Sequence, residues 1–174
     1  MRRLTILLIS VLLSFPGCNR QRRQRAATVE DAGAGIASVI NTADPQTAIQ
    51  LLKGFHQVEQ NSWRWTRGQF SVTLRVPPGA AVKGGVLEVK FSVPDPVVSR
   101  LKSVTLSAKA GGLALEPQTY STGGEQTYQR EIPASALSGE AVTIDFALDK
   151  FLAAGLVESR ELGVIASTFS LSAK

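Results

Sequence analysis

The stretch Gln69-Phe70-Ser71-Val72-Thr73-Leu74-Arg75-Val76 decides the fold class. Phe70, Val72, Leu74 and Val76 fall on one alternation, and Ser71, Thr73 and Arg75 on the other. Successive side chains of a strand point to opposite faces, so this spacing describes a strand with one buried and one wet face. Val86-Leu87-Glu88-Val89-Lys90-Phe91-Ser92-Val93 repeats the pattern, with Leu87, Val89, Phe91 and Val93 on one face. Further branched and aromatic runs follow at 101–108, 113–116, 126–132, 141–148 and 162–171. Turn chemistry separates them: Pro77-Pro78-Gly79, Pro94-Asp95-Pro96, Gly111-Gly112, Gly123-Gly124 and Ser138-Gly139. About eight short strands, each with one apolar face, predict an all-β domain built as an antiparallel two-sheet β-sandwich, because each such face must be covered by another sheet. A closed barrel is the alternative.

Ahead of the strands, Asp44-Pro45-Gln46-Thr47-Ala48-Ile49-Gln50-Leu51-Leu52-Lys53-Gly54 places an acidic cap, a proline at the first helical position and a glycine past the end. These start and stop signals predict one short N-terminal helix with Ala48, Ile49, Leu51 and Leu52 on its apolar side. Residues 26–41 are rich in Ala and Gly and carry no large apolar stripe, so they read as a linker. The β-sandwich domain is therefore expected to occupy 42–174 and to fold without the segment before it.

Residues 1–17 open with Arg2 and Arg3, continue through the apolar run Leu4 to Leu13 and end in Gly17 before Cys18. That is a secretory signal layout, with an apolar stretch too short to span a bilayer. Phe15-Pro16-Gly17-Cys18 resembles a lipobox, the site where a lipoprotein signal peptide is cut before a diacylated cysteine. Phe15 stands where Leu is usual and Pro16 where Ala or Ser is usual, so a secreted soluble protein is the alternative. Cys18 is the sole cysteine, and an exposed unpaired thiol outside the cytoplasm is a liability, which favours lipidation. The expected location is extracytoplasmic, lipid-anchored at the cell envelope.

The net charge of +5 is concentrated near the N-terminus, in Arg2, Arg3, Arg20, Arg22, Arg23 and Arg25. From Ala27 onward thirteen Lys or Arg stand against fourteen Asp or Glu, a balance of −1. The basic residues after Cys18 thus form a tether across 18–41, suited to anionic headgroups at about 1 kcal/mol each. Nucleic acid is not an expected partner, since the domain has no basic composition.

Two stretches carry a resemblance: Gly54-Phe55-His56-Gln57-Val58-Glu59-Gln60-Asn61-Ser62-Trp63-Arg64-Trp65-Thr66, and Glu158-Ser159-Arg160-Glu161-Leu162-Gly163-Val164. They resemble the opening and closing motifs of small jelly-roll-like β-sandwich modules found beside bacterial glycosyltransferases. Glu158 stands where Asp is common in that pattern, and the 174 residues carry no transferase domain. The resemblance implies a jelly-roll-like fold with a loose association with surface glycans, and no activity for an isolated module.

Within these motifs, Trp63 and Trp65 share one face of a strand and Arg64 takes the other. The pair reads either as a stacking platform or as core, with core favoured for at least one ring. Glu59, Arg64, Glu158 and Arg160 are expected to form a structural polar cluster joining the first and last strands. His56, Arg64, Trp65 and Tyr128 are the candidate ligand-binding residues, for a glycan or an envelope protein. His56 is the only histidine, no nucleophile elbow is present and the acids are scattered, so no catalytic residue, metal site or cofactor is expected. The function expected is a non-catalytic binding or interaction module; the alternatives are a structural subunit of an envelope assembly or a hydrolase.

Overall fold

In a computed structural model, which describes residues 35–174, Phe70, Val72 and Leu74 are all buried and Arg75 is exposed, as their alternation requires, whereas Ser71, expected on the wet face, is buried. The signal segment, Cys18 and the tether at 18–34 lie outside the described residues. Nine strands follow in order: β1 (Val39–Asn41), β2 (Leu51–Glu59), β3 (Trp63–Arg75), β4 (Gly85–Val93), β5 (Val104–Ala110), β6 (Leu113–Tyr120), β7 (Gly124–Ile132), β8 (Ala141–Leu148) and β9 (Ile165–Ala173).

The strands make two antiparallel layers that share β3. Its later half, Gln69 to Arg75, pairs with β8 and continues the layer β6-β5-β8-β3. Its first residues, Arg64 and Trp65, pair instead with β9 and belong to the layer β3-β9-β4-β7. β2 runs alongside β3, and its register jumps from Ser71 to Thr66 between Lys53 and Phe55 where β3 passes between layers. Gly54, at φ +78°, sits in that break, where a Cβ would come within 2.0 Å of the Gln69 carbonyl oxygen. Only glycine tolerates both conditions.

The two inner faces meet through aromatic rings. Phe70 stacks on Phe146 at 4.9 Å within one layer, and Phe146 and Phe169 meet at 5.5 Å across the interior. Phe91 of β4 meets Tyr120 of β6 edge to face at 5.0 Å. Such pairs contribute about 0.5–1.5 kcal/mol each beyond their burial. The fold is thus the all-β antiparallel sandwich that the alternation predicts, jelly-roll-like as the resemblance implies.

Three local expectations differ. The helix expected over Asp44 to Gly54 is a single 3-10 turn, Ala48–Gln50, and Leu51 and Leu52 already belong to β2. A helix this short gains little on its own, whereas Leu51 in β2 pairs with Val72 and packs on the core. The turn leaves Ile49 85% exposed and sends Gln50 inward, where its side chain bonds both backbone groups of Ala37 and the carbonyl of Thr73.

The linker does not extend to Asn41. Val39–Asn41 pair with β9, Ile40 is fully buried, and Thr42 donates through Oγ1 to Ala166 O at 2.8 Å. Two branched residues, of which only Ile40 is buried, suffice to add a short strand to a stretch otherwise rich in small residues. Finally, Pro94-Asp95-Pro96 starts a helix, Asp95–Leu101, with Pro94 as its N-cap and Val97 in the core. Proline in a first turn serves helix starts as well as turns.

Candidate functional site

Thr66 explains how the two motifs at the ends of the domain are joined. It is fully buried, its N–H donates to Val164 O at 2.8 Å, and its carbonyl accepts from Gly163 N at 2.7 Å. Its Oγ1 accepts from Val164 N at 3.1 Å. Gly163 fits because a Cβ there would lie 2.6 Å from Thr66 Oγ1 and 2.7 Å from Arg67 O. The Trp-Arg-Trp-Thr and Arg-x-Leu-Gly stretches are therefore two halves of one seam.

Beside that seam, Arg160 holds Glu59 Oε1 at 2.7 Å through Nη1 and binds both oxygens of Glu158. The three side chains are each about a third exposed, at 35%, 35% and 38%. The bond from Arg160 holds the Glu158 carboxyl below its ordinary 4.5, and both carboxylates raise the Arg160 guanidinium. Arg160 does not begin the last strand, which starts at Ile165; it lies in the 149–164 loop, closed by the Leu152 and Leu162 bridge.

Arg64 stands apart from this ionic cluster. Its guanidinium donates to two backbone carbonyls, Thr42 O at 2.7 Å and His56 O at 3.0 Å, and so ties three segments together. His56 Nε2 lies 2.7 Å from Glu161 O and donates to it when that nitrogen carries the proton. Trp65 is half-buried against the core. Tyr128 cannot line a cleft with its ring: it is fully buried, its hydroxyl donates to Glu116 O at 2.9 Å, and Arg130 sits over it at 4.6 Å from the ring centre. The sequence placed Tyr128 in a strand, but its alternation there is the inward one.

The concave feature lies elsewhere, on the outer face of the layer containing β2, β3, β8 and β5. The register sets Lys53, Ser71, Asp145 and Lys109 in one row, so all four share that face. Lys53 reaches across buried Ser71 to Asp145, with Nζ and Oδ1 3.5 Å apart. A hollow of about 540 Å³ over this row is lined by Lys53, Gln69, Ser107, Lys109, Pro117 and Asp145 among others. A second, of about 390 Å³, is lined by Lys53, Gly54, Arg67, Gln69, Phe151 and Glu161. Lys53 and Gln69 line both, so the two hollows adjoin on this face and together make a shallow groove with these side chains at its middle.

Phe151 is 38% exposed at one end of the groove, and its ring lies on Gly68. A Cβ on Gly68 would meet ring atom Cδ1 at 2.2 Å, so the ring occupies the space a side chain would take. Glu161 secures the same spot, its Oε1 accepting from Gly68 N at 2.7 Å. The two adjoining hollows thus offer an aromatic face, an amide, carboxylates and cations side by side, a set suited to holding a polyhydroxyl ligand. Among the described residues no group of three or more His, Cys, Asp or Glu gathers at metal-holding distance.

Neither a protein-family model nor a curated protein matches the chain. Among solved structures it is similar to a carbohydrate-binding module, CBM36, in complex with calcium and xylotriose, at 9% identity and a TM-score of 0.39, covering 77% of this chain and 98% of that one. It is also similar to the CBM36-1 domain of a multidomain xylanase from the hindgut metagenome of Trinervitermes trinervoides, at 13% identity and a TM-score of 0.35, covering 68% and 83%. A third is the CBM51-2 and INT domains of Clostridium perfringens ZmpB in complex with GlcNAc, at 11% identity and a TM-score of 0.36, covering 79% and 28%. Scores of this size carry no functional assignment, so the reading of the site rests on the groove itself.

Proposed function

We propose that this domain is a non-catalytic binding module that takes a glycan in the groove between Phe151 and Lys109, and that a lipid at Cys18 holds it at the cell envelope. The observation that carries the reading is the exposed Phe151 ring, seated on Gly68 at the end of a groove walled by Lys53, Gln69 and Asp145. An aromatic face packs against the C–H face of a sugar ring, while the amide, ammonium and carboxylate groups bond its hydroxyls. The half-buried Trp65 and the buried Tyr128 supply core instead.

A glycan array probed with the full chain in detergent tests the site. The expected result is binding to at least one glycan, with Phe151→Ala weakening it by roughly tenfold and leaving the melting temperature nearly unchanged. An array without a hit, or a hit that Phe151→Ala leaves intact, rejects the reading. For the anchor, Cys18→Ser is expected to move the protein into the soluble extracytoplasmic fraction, because arginines alone bind membranes weakly and salt-sensitively. Retention in the membrane pellet at high salt would place the anchor elsewhere.

A further inference from the structure

Resting on the glycan reading above, we infer that the groove selects acidic glycans, chains whose sugars carry carboxylate or sulfate groups. Three cations line it, Lys53, Arg67 and Lys109, against two carboxylates, Asp145 and Glu161. Asp145 is engaged by Lys53 at 3.5 Å, and one oxygen of Glu161 is taken by the Gly68 N–H. The side chains of Arg67 and Lys109 make no hydrogen bond or ion pair among the described residues, and both residues are exposed. A lone free lysine on a surface is ordinary. Two unpaired cations at the two ends of the groove, in a domain whose balance from Ala27 onward is −1, are a local excess of positive charge.

Their placement fits a chain rather than a single ion. Lys109 lies three strands from Lys53 along one row, about 14 Å away at the usual strand spacing. Arg67 lies on β3 four residues from Ser71, about 13 Å along the strand from that row, beside Phe151. A glycan stacked on Phe151 presents a substituent to Arg67 and reaches Lys109 at the far end. Arg67, with a planar fork of donors, suits a bidentate carboxylate or sulfate; Lys109 acts as a point charge. A neutral glycan offers these cations only hydroxyl oxygens, without the charge-assisted bonds that an anionic substituent makes.

Titration calorimetry on the full chain in detergent tests this with four probes: a galacturonate tetramer, its carboxyl-reduced neutral counterpart, a sulfated dextran oligomer and unsulfated dextran. One or both acidic probes are expected to bind roughly tenfold more tightly than their neutral partners, with the preference shrinking as salt rises. Which acidic probe does so identifies carboxylate or sulfate as the recognised group. The double variant Arg67→Gln, Lys109→Gln is expected to lose the preference, whereas Lys90→Gln, on β4 in the other layer and facing Glu88 at 3.5 Å, is expected to keep it. All three positions are exposed, and circular dichroism melts verify folding. Equal binding of acidic and neutral probes overturns the inference, as does an equal loss with Lys90→Gln, which would mark unspecific attraction. If neutral probes bind and Phe151→Ala abolishes that binding, the glycan reading survives such a failure; if no probe binds, the inference falls and the glycan array decides the reading beneath it.

Discussion

At Gly68 the missing side chain is as informative as the ring that fills its place. Its backbone N–H anchors Glu161 and its open face carries Phe151, so one small residue fixes two groups at the end of the groove. Gly68→Ala is therefore expected to displace the ring and weaken glycan binding by roughly as much as Phe151→Ala, about tenfold, while the melting temperature moves little because the ring is over a third exposed. Retained binding in Gly68→Ala, measured on the glycan that Phe151→Ala loses, would show that Gly68 does not set the ring's position. In the sequence Gly68 and Phe151 are unremarkable, 83 residues apart, and nothing in either alternation pairs them. The size of Trp63 and Trp65 is visible in one dimension; exposure is not.

Among the elements, the 149–164 loop and the β2–β3 hairpin share one clasp, with Arg160 on one side and Glu59 on the other. The clasp holds the loop that carries both Phe151 and Glu161. Arg160→Ala is expected to cost about 1 kcal/mol, the upper range for ion pairs this exposed, and to loosen glycan binding as the loop relaxes. The pH dependence has a definite sign. Because Arg160 keeps the Glu158 carboxyl below its ordinary 4.5, the pair contributes fully above that value, and the contribution is lost as pH falls through the lower folded value. Thermal melts of the parent and Arg160→Ala should therefore differ at pH 7 and converge as pH falls well below 4.5; a constant gap would assign the effect to packing. The sequence named Glu59, Glu158 and Arg160 as one cluster from motif position alone. Arg64, placed in the same cluster with carboxylates or carbonyls as its partners, meets the carbonyls of Thr42 and His56, a choice the sequence left open because backbone acceptors leave no signature in side-chain identity.

For the whole molecule, residues 36–42 complete the sandwich. Ile40 enters the core, Gln50 is tied to Ala37, and Leu171 N donates to Ser38 O at 2.9 Å. A fragment beginning at Ile36 is expected to melt like the full chain. One beginning at Thr42 loses the burial of Ile40, about 1.5–3 kcal/mol, and leaves Gln50 partly unpaired at about 1–3 kcal/mol more. Its melting temperature should fall by roughly 10 °C, and coincident melts of the two fragments would return 36–41 to the role of linker. The sequence by itself determined the class of fold, since period-two alternation and turn residues act locally and leave antiparallel layers as the way to cover each apolar face. The tertiary structure alone decided where β3 changes layers, that Val39–Asn41 forms a strand and that Asp44 to Gly54 does not form a helix, because these depend on what a distant strand offers. It alone decided the groove too. Lys53, Asp145 and Lys109 come from three strands whose register is set by pairing across the sheet, and one residue of slip would have turned each of them to the other face.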